Sequence, residues 1–341
     1  MPWYLIETFC PEPSASIVFT DGQQRDWASL RTVQRSDGIT GIDELVAQVR
    51  ATGDELDQIV AGRMGPRRVV MRPVLGFEGD VYGIKTWIGP ADETPSPARA
   101  IASVNWDVDS LVARHTLESY MMSSISPDGF GDTRDPGQFL RKVVQFDALN
   151  ELAELCMNDG SRTHFQGRLT VLHDDSHLMA WRGVARSNAG PDGTEVRGMF
   201  HDVTDTEEPQ IAPLAALKLG HPDDGPSTVL VAYRTSPTDP SDVVPVLMYW
   251  ISPRPRYIAE SAVEHSHSSI PGNLVNPSDF GEFLRAREAL MAGDDAMEIP
   301  IDVELLGADG EWVRVRLTLR RYPGAVGSLM HVARFERVGQ G

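Results

Sequence analysis

The chain of 341 residues carries 31 Lys and Arg against 49 Asp and Glu, a net charge of −18 at pH 7. That length holds two or three domains at roughly 100–200 residues each, and 41% hydrophobic with 23% charged residues excludes disorder over most of the chain. Residues 1–109 hold 10 basic and 16 acidic groups, 110–218 hold 10 and 16, and 219–341 hold 11 and 17, so each third carries −6 and no basic patch points to nucleic acid or an anionic membrane.

In chain order, Trp3 to Phe9 and Ser16 to Thr20 read as strands. A helix follows with Ile42, Leu45, Val46 and Val49 at i, i+3, i+4, i+7 spacing. Strands then run from Arg68 to Leu75 and from Val81 to Ile88 around the turn Phe77-Glu78-Gly79-Asp80, and Arg99 to Val108 closes this first unit. The second unit opens with a helix over 110–122 and a Gly/Asp-rich loop at 127–135. Asp135-Pro136 then starts a helix, as an N-cap acceptor followed by a first-turn proline, and helical character continues to Met157. Strands follow at 163–173, 178–187 and 195–203. The third unit repeats the order, with strands at 229–233 and 246–251, a cap plus proline at Asn276-Pro277, and strands at 298–306, 311–321 and 327–335.

Two spacings tie the second unit to the third: Trp181 and Trp312 are 131 residues apart, and so are Met199 and Met330. The strand from Trp312 to Arg320 alternates, with Val313, Val315, Leu317 and Leu319 apolar between polar neighbours. Such a strand buries one face and leaves the other solvated. The expected fold class is therefore α+β, with antiparallel sheets of about five strands and helices collected on one face of each.

The strand pair Met179–Ala185 and Val196–Thr204, ending in Gly198-Met199-Phe200-His201-Asp202-Val203-Thr204, resembles the exit of a PAS sensor domain. Over its full length the chain resembles the mycobacterial triple sensor-domain proteins. That resemblance implies a GAF/PAS-like domain at 1–109, a PAS-like domain at 110–208, a linker at 209–218 and a second PAS-like domain at 219–341. It implies a signalling role and supplies no site residues.

Resident cofactors are not expected. Cys156, in Ala153-Glu154-Leu155-Cys156-Met157, lacks the surroundings of a flavin-linked cysteine and reads as a packed small hydrophobe. His115 and His164 are poorly placed for haem, and Cys10 is poorly placed for a bilin. Glu264-His265-Ser266-His267 is the one stretch that hints at metal; His265 and His267 alone fall short of the three or four ligands zinc needs. No nucleophile elbow, phosphate loop or zinc-protease motif occurs, and His201-Asp202 would point to opposite faces of a strand.

Phe139, Phe165, Trp181, Met199 and Trp312 fit interior positions, where they either fill a core or line a hollow between sheet and helices. The expected function is a non-enzymatic sensory protein that binds a small molecule or a protein partner and passes the signal to a separate effector. The alternatives are an interaction adaptor with filled cores, and an enzyme that uses His201 or the 264–267 cluster. The longest apolar run, Val243 to Ile251, is broken by Pro245 and falls far short of the ~20 residues of a membrane helix. With only two cysteines and no leader-like N-terminus, a cytoplasmic location is expected.

Overall fold

The computed structural model describes residues 2–336, apart from 11–13, 64, 158–162, 191–192, 213–226, 236–241, 264–272, 295 and 323–328. It is mainly β: three antiparallel sheets of six, seven and five strands, with few helices.

The first sheet is built from β1 (Trp3–Glu7), β2 (Ser16–Thr20), β3 (Gln23–Ser29), β4 (Leu56–Val60), β5 (Arg67–Leu75) and β6 (Val81–Pro90), in the order β3-β2-β1-β6-β5-β4. Between β3 and β4 run α1 (Arg31–Asp37) and α2 (Ile42–Thr52). The stripe read from the sequence is the buried one: Ile42, Val46 and Val49 pack on Val69, Met71, Ile84 and Ile88. Gly53 ends α2 at φ 70, a left-handed cap that glycine adopts without strain.

The second sheet comprises β7 (Ile101–Asp107), β8 (Val112–His115), β9 (Thr133–Arg134), β10 (Val143–Phe146), β11 (His164–Leu172), β12 (Leu178–Gly190) and β13 (Gly193–Asp202), in the order β10-β11-β12-β13-β7-β8-β9. Its helices are α3 (Leu117–Met121), α4 (Pro136–Phe139) and α5 (Leu149–Met157). Three expectations are corrected here. The strand read as closing the first unit is β7, which pairs with β13 and β8 in the second sheet; sequence adjacency does not choose a pairing partner. The helix expected over 110–122 is instead β8 followed by one short helix. Leu111 turns the chain at φ 59, and Thr116 caps α3 by accepting from Ser119 N at 3.3 Å. The helix expected from 135 to 157 is interrupted by β10, where the β-branched pair Val143-Val144 takes an edge strand beside β11.

The third sheet holds β14 (Thr228–Thr235), β15 (Val243–Trp250), β16 (Ile299–Leu306), β17 (Trp312–Arg321) and β18 (Met330–Phe335), in the order β15-β14-β18-β17-β16. A 3-10 turn at Pro277–Asp279, capped by Asn276, leads into α6 (Phe280–Ala292). Setting aside β3, β9 and β10, all three sheets share one order: the first strand lies between the second and the last, and the third strand is at the far edge. The 131-residue spacing now has a structural meaning. Trp181 and Trp312 lie on the fourth strand of that order, and Met199 and Met330 lie on the fifth.

Alternation along the strands stacks the sheets. One face of the second sheet, with Val184 and Met199, packs on Leu5, Phe19, Val74 and Tyr82 of the first. Gly83 makes the close approach possible, because a Cβ there would lie 2.4 Å from the Met199 sulfur. Glu7, fully buried, meets Arg186 across this junction at 3.3 Å. The other face of the second sheet carries α3 to α5, and beyond them Leu230, Val246, Met248 and Met330 of the third sheet join the same core. The far face of the third sheet is covered by α6 through Phe283, Ala286 and Leu290. Among the described residues no helix is long and apolar enough to cross a membrane.

Tyr233 in the third core is fully buried, and its hydroxyl has no hydrogen-bond partner among the described residues. Removing an unsatisfied buried hydroxyl relieves its desolvation, so Tyr233→Phe is expected to raise unfolding stability by about 1 kcal/mol. Urea unfolding of the two proteins checks this, and a loss of stability would show that the hydroxyl is bonded.

Candidate functional site

A cavity of about 60 Å³ lies between the second sheet and its helices. Strand parity builds the apolar wall. Trp181 of β12 and Phe200 of β13 point to the helix side, their rings 5.8 Å apart, while Phe139 at the end of α4 closes over Phe200 at 5.9 Å. Leu169 and Val171 of β11 complete this side.

The opposite wall is cationic. Lys142 is satisfied: its Nζ lies 2.7 Å from Asp174 and donates to the Ser123 carbonyl and the Ser124 hydroxyl, each at 2.7 Å. Arg141 pairs with Glu260 at 2.9 Å. Arg134 differs. It is 5% exposed because the two-residue strand β9 pins its backbone against Ala113 of β8. Its Nη2 donates to the Gly129 carbonyl at 2.9 Å, its Nε faces His115 Nε2 at 3.1 Å, and its guanidinium lies over the Tyr120 ring at 5.4 Å. No carboxylate lies within ion-pair distance of it among the described residues. Burial, and then the nearby Arg141 charge, lower its pKa. A buried guanidinium without a counter-charge is costly.

Two further groups fix the chemistry of this space. His115, 3% exposed, is held neutral: burial first and Arg134 second bring its pKa down to about 4. Its Nε2 is 2.7 Å from the Gly131 carbonyl. Trp181 is 7% exposed, and its indole Nε1 is a buried donor with no acceptor among the described residues. One guanidinium without an ion-pair partner among the described residues, with the Asp135 and Glu260 charges near but not paired to it, one unused donor and three aromatic rings suit an anion with an apolar body. Since one water needs ~10–15 Å³ of such space, the cavity admits a molecule of only a few non-hydrogen atoms.

The short helix α4 is also a wall of a second space. A groove of about 290 Å³ lies on its other side, against β15, and Gln138, Arg141 and Val143 border both. Contacts cross here to the third sheet: the Tyr249 hydroxyl donates to the Val143 carbonyl at 2.7 Å, and the Ala262 amide donates to the Asp135 carboxylate at 3.3 Å. Asp135 also caps α4, accepting from Gln138 N at 2.8 Å. Burial outweighs these two hydrogen bonds and a third from the Ser261 side chain, and lifts its pKa to about 6.

The residues singled out from the sequence are dispersed. Phe139 and Trp181 line the cavity. Phe165 is buried in the same core, edge-on to Phe146 at 6.0 Å, and is not among the cavity's walls. Met199 faces the first sheet, because it neighbours Phe200 on one strand and the two point oppositely. Trp312 packs in the third core, opposite Leu306. His201 lies between the first and second sheets, edge-on to Phe19 at 4.8 Å, and burial with the Arg99 charge depresses its pKa to about 4. His265 and His267 lie outside the described residues. Cys10 and Cys156 are both free, and burial pushes the Cys156 thiol up. Sequence reasoning missed Phe200, which the parity of 196–201 could have placed opposite Met199, and Arg134, for which no sequence signal exists.

Residues 2–97, which span the first sheet, match the sequence family described as Rv3651-like, N-terminal. An uncharacterised protein of Mycobacterium tuberculosis shares the fold at 18% identity and a TM-score of 0.72, over 99% of this chain and 97% of that one. A sensory box histidine kinase/response regulator from Burkholderia thailandensis covers 31% of this chain and 79% of its own, at 12% identity and TM-score 0.24. An RNA-binding light-oxygen-voltage receptor covers 69% and 95%, at 11% identity and TM-score 0.24. No curated protein matches the sequence.

Proposed function

We propose that this chain is a non-catalytic, cytoplasmic sensory protein of three PAS/GAF-like modules, one per sheet, whose middle module binds a small organic anion. The observation that carries the reading is Arg134, a buried guanidinium with no carboxylate at ion-pair distance among the described residues, in the polar wall of a cavity whose other wall is formed by Phe139, Trp181 and Phe200. A short-chain carboxylate supplies the missing charge, offers an acceptor to Trp181 Nε1, and sets its apolar body against the rings. The shared strand order of the three sheets supports reading them as repeats of one module.

Binding would be felt beyond the cavity. The helix α4 is four residues long, borders the cavity through Gln138 and Phe139, and lies against Trp250 of β15 at Gly137, while its cap Asp135 accepts from Ala262. A ligand that draws Arg134 and Phe139 inward biases the position of α4, and with it the seating of the third module. A separate protein effector would read that change.

Titration calorimetry with acetate, propionate and butyrate beside their amides tests the reading. The carboxylates are expected to bind and the amides not. Equal binding of both, or no binding of any, contradicts it, and the second result favours the adaptor with filled cores. Recovery of the carboxylate unchanged after incubation separates sensing from catalysis.

A further inference from the structure

The hairpin joining β11 to β12 ends in His173-Asp174-Asp175-Ser176-His177. His173 N donates to the His177 carbonyl at 2.9 Å, so the two histidines close the hairpin as directly opposed residues with side chains on one face. Their rings stack at 4.5 Å and 22°. Ser176, at φ 71, makes the sharp turn that folds Asp175 back between them. One oxygen, Asp175 Oδ1, meets His173 Nδ1 at 2.7 Å and also meets His177 Nδ1. Two imidazole nitrogens and a carboxylate oxygen thus converge, all within 4.8 Å of one another.

We infer that this hairpin tip is a binding site for a borderline divalent cation of the zinc class, held by His173 Nδ1, Asp175 Oδ1 and His177 Nδ1. Two nitrogens and one oxygen match the donor set of zinc sites that keep a fourth position open, whereas magnesium and calcium take oxygen ligands. The side chains are already gathered by the hairpin, so little conformational freedom is lost on binding. In the metal-free form both Nδ1 atoms face the shared Asp175 carboxylate oxygen. On binding, the metal takes the Nδ1 lone pair, and a ring that carried a proton there holds it on Nε2 instead or releases it to solvent. His177 and Asp175 are half exposed, and the open coordination position therefore faces water or an incoming ligand.

Zinc titration of the full chain at pH 7.5, after chelator treatment, tests the site. One equivalent is expected to bind, and cobalt at the same site is expected to show visible d–d absorption. His173→Ala and His177→Ala should each weaken zinc binding at least tenfold with the far-ultraviolet circular dichroism unchanged. His265→Ala/His267→Ala, which removes the other histidine cluster, should leave that equivalent in place. Binding that survives His173→Ala/His177→Ala, or is lost only in the 265/267 variant, overturns the proposal, as does the absence of any zinc binding.

Discussion

Arg134→Met is expected to abolish carboxylate binding without lowering thermal stability. Truncating one partner of a buried charge pair costs about 2–5 kcal/mol of binding, so affinity should fall by about thirtyfold or more. Stability should behave differently. In the unliganded protein Arg134 is a buried charge that donates to the Gly129 carbonyl and lies beside the neutral His115 ring, with no carboxylate at ion-pair distance among the described residues. Replacing a poorly compensated buried charge with an apolar side chain of similar length is neutral or stabilising, by up to about 4 kcal/mol. The opposite pair of results, binding retained and melting temperature sharply lowered, would make Arg134 a purely structural residue. Lys142→Met is the useful contrast: Lys142 holds Ser123, Ser124 and Asp174 together, so its loss should cost stability as well as affinity.

Acid should destabilise the fold between pH 6.5 and 4, and two buried histidines drive the slope. His115 and His201 have pKa values depressed to about 4 by burial, from 6.5. A depressed value means the unfolded chain binds the proton more readily than the folded one. Their contribution is therefore present above about pH 6.5 and lost as pH falls through 4, by about 3 kcal/mol each. Asp135 runs the other way. Its pKa is raised to about 6 from 3.8, so its contribution is present below about pH 4 and lost as pH rises through 6, again by about 3 kcal/mol. Burial also raises the pKa of Glu7 and Asp80, which act in the same sense as Asp135, so the two histidines drive the loss on acidification and these three acids moderate it. Urea unfolding from pH 7.5 to 4 reads this directly. His201→Phe keeps the edge contact with Phe19 and should make the profile shallower. Asp135→Asn keeps the α4 cap and should steepen it. A His201→Phe profile as steep as that of the wild type would show that His201 is not held neutral.

What could be read from the sequence was local. The alternation of Val313, Val315, Leu317 and Leu319 places β17, and Gly79, Gly310 and the acids near 174–176 mark turns that the chain makes. The stripe Ile42, Val46, Val49 names the buried face of α2. Pairing between distant segments was not legible. Nothing local to 101–107 says that this strand joins β13 rather than the sheet before it, since either partner satisfies its backbone groups. The stretches 110–122 and 135–157 failed for the same reason: Val112 and Val143 lie in runs apolar enough for either helix or strand, and the neighbouring strands decide. The site was half legible. Phe139 and Trp181 were recognisable as interior aromatics, but the hollow they line is set by a cation. Arginine is ordinarily exposed, and only a two-residue edge strand buries Arg134. The paired histidines at 173 and 177 become neighbours through the hairpin's register, which brings residues four apart face to face.

A crystal structure of the chain soaked with propionate tests the central claim most directly. The expected result is a carboxylate oxygen within hydrogen-bond distance of the Arg134 guanidinium, a second oxygen accepting from Trp181 Nε1, and the alkyl end against Phe139 and Phe200. Propionate bound only elsewhere, or a cavity whose side chains close on one another and admit nothing at saturating concentration, would contradict it.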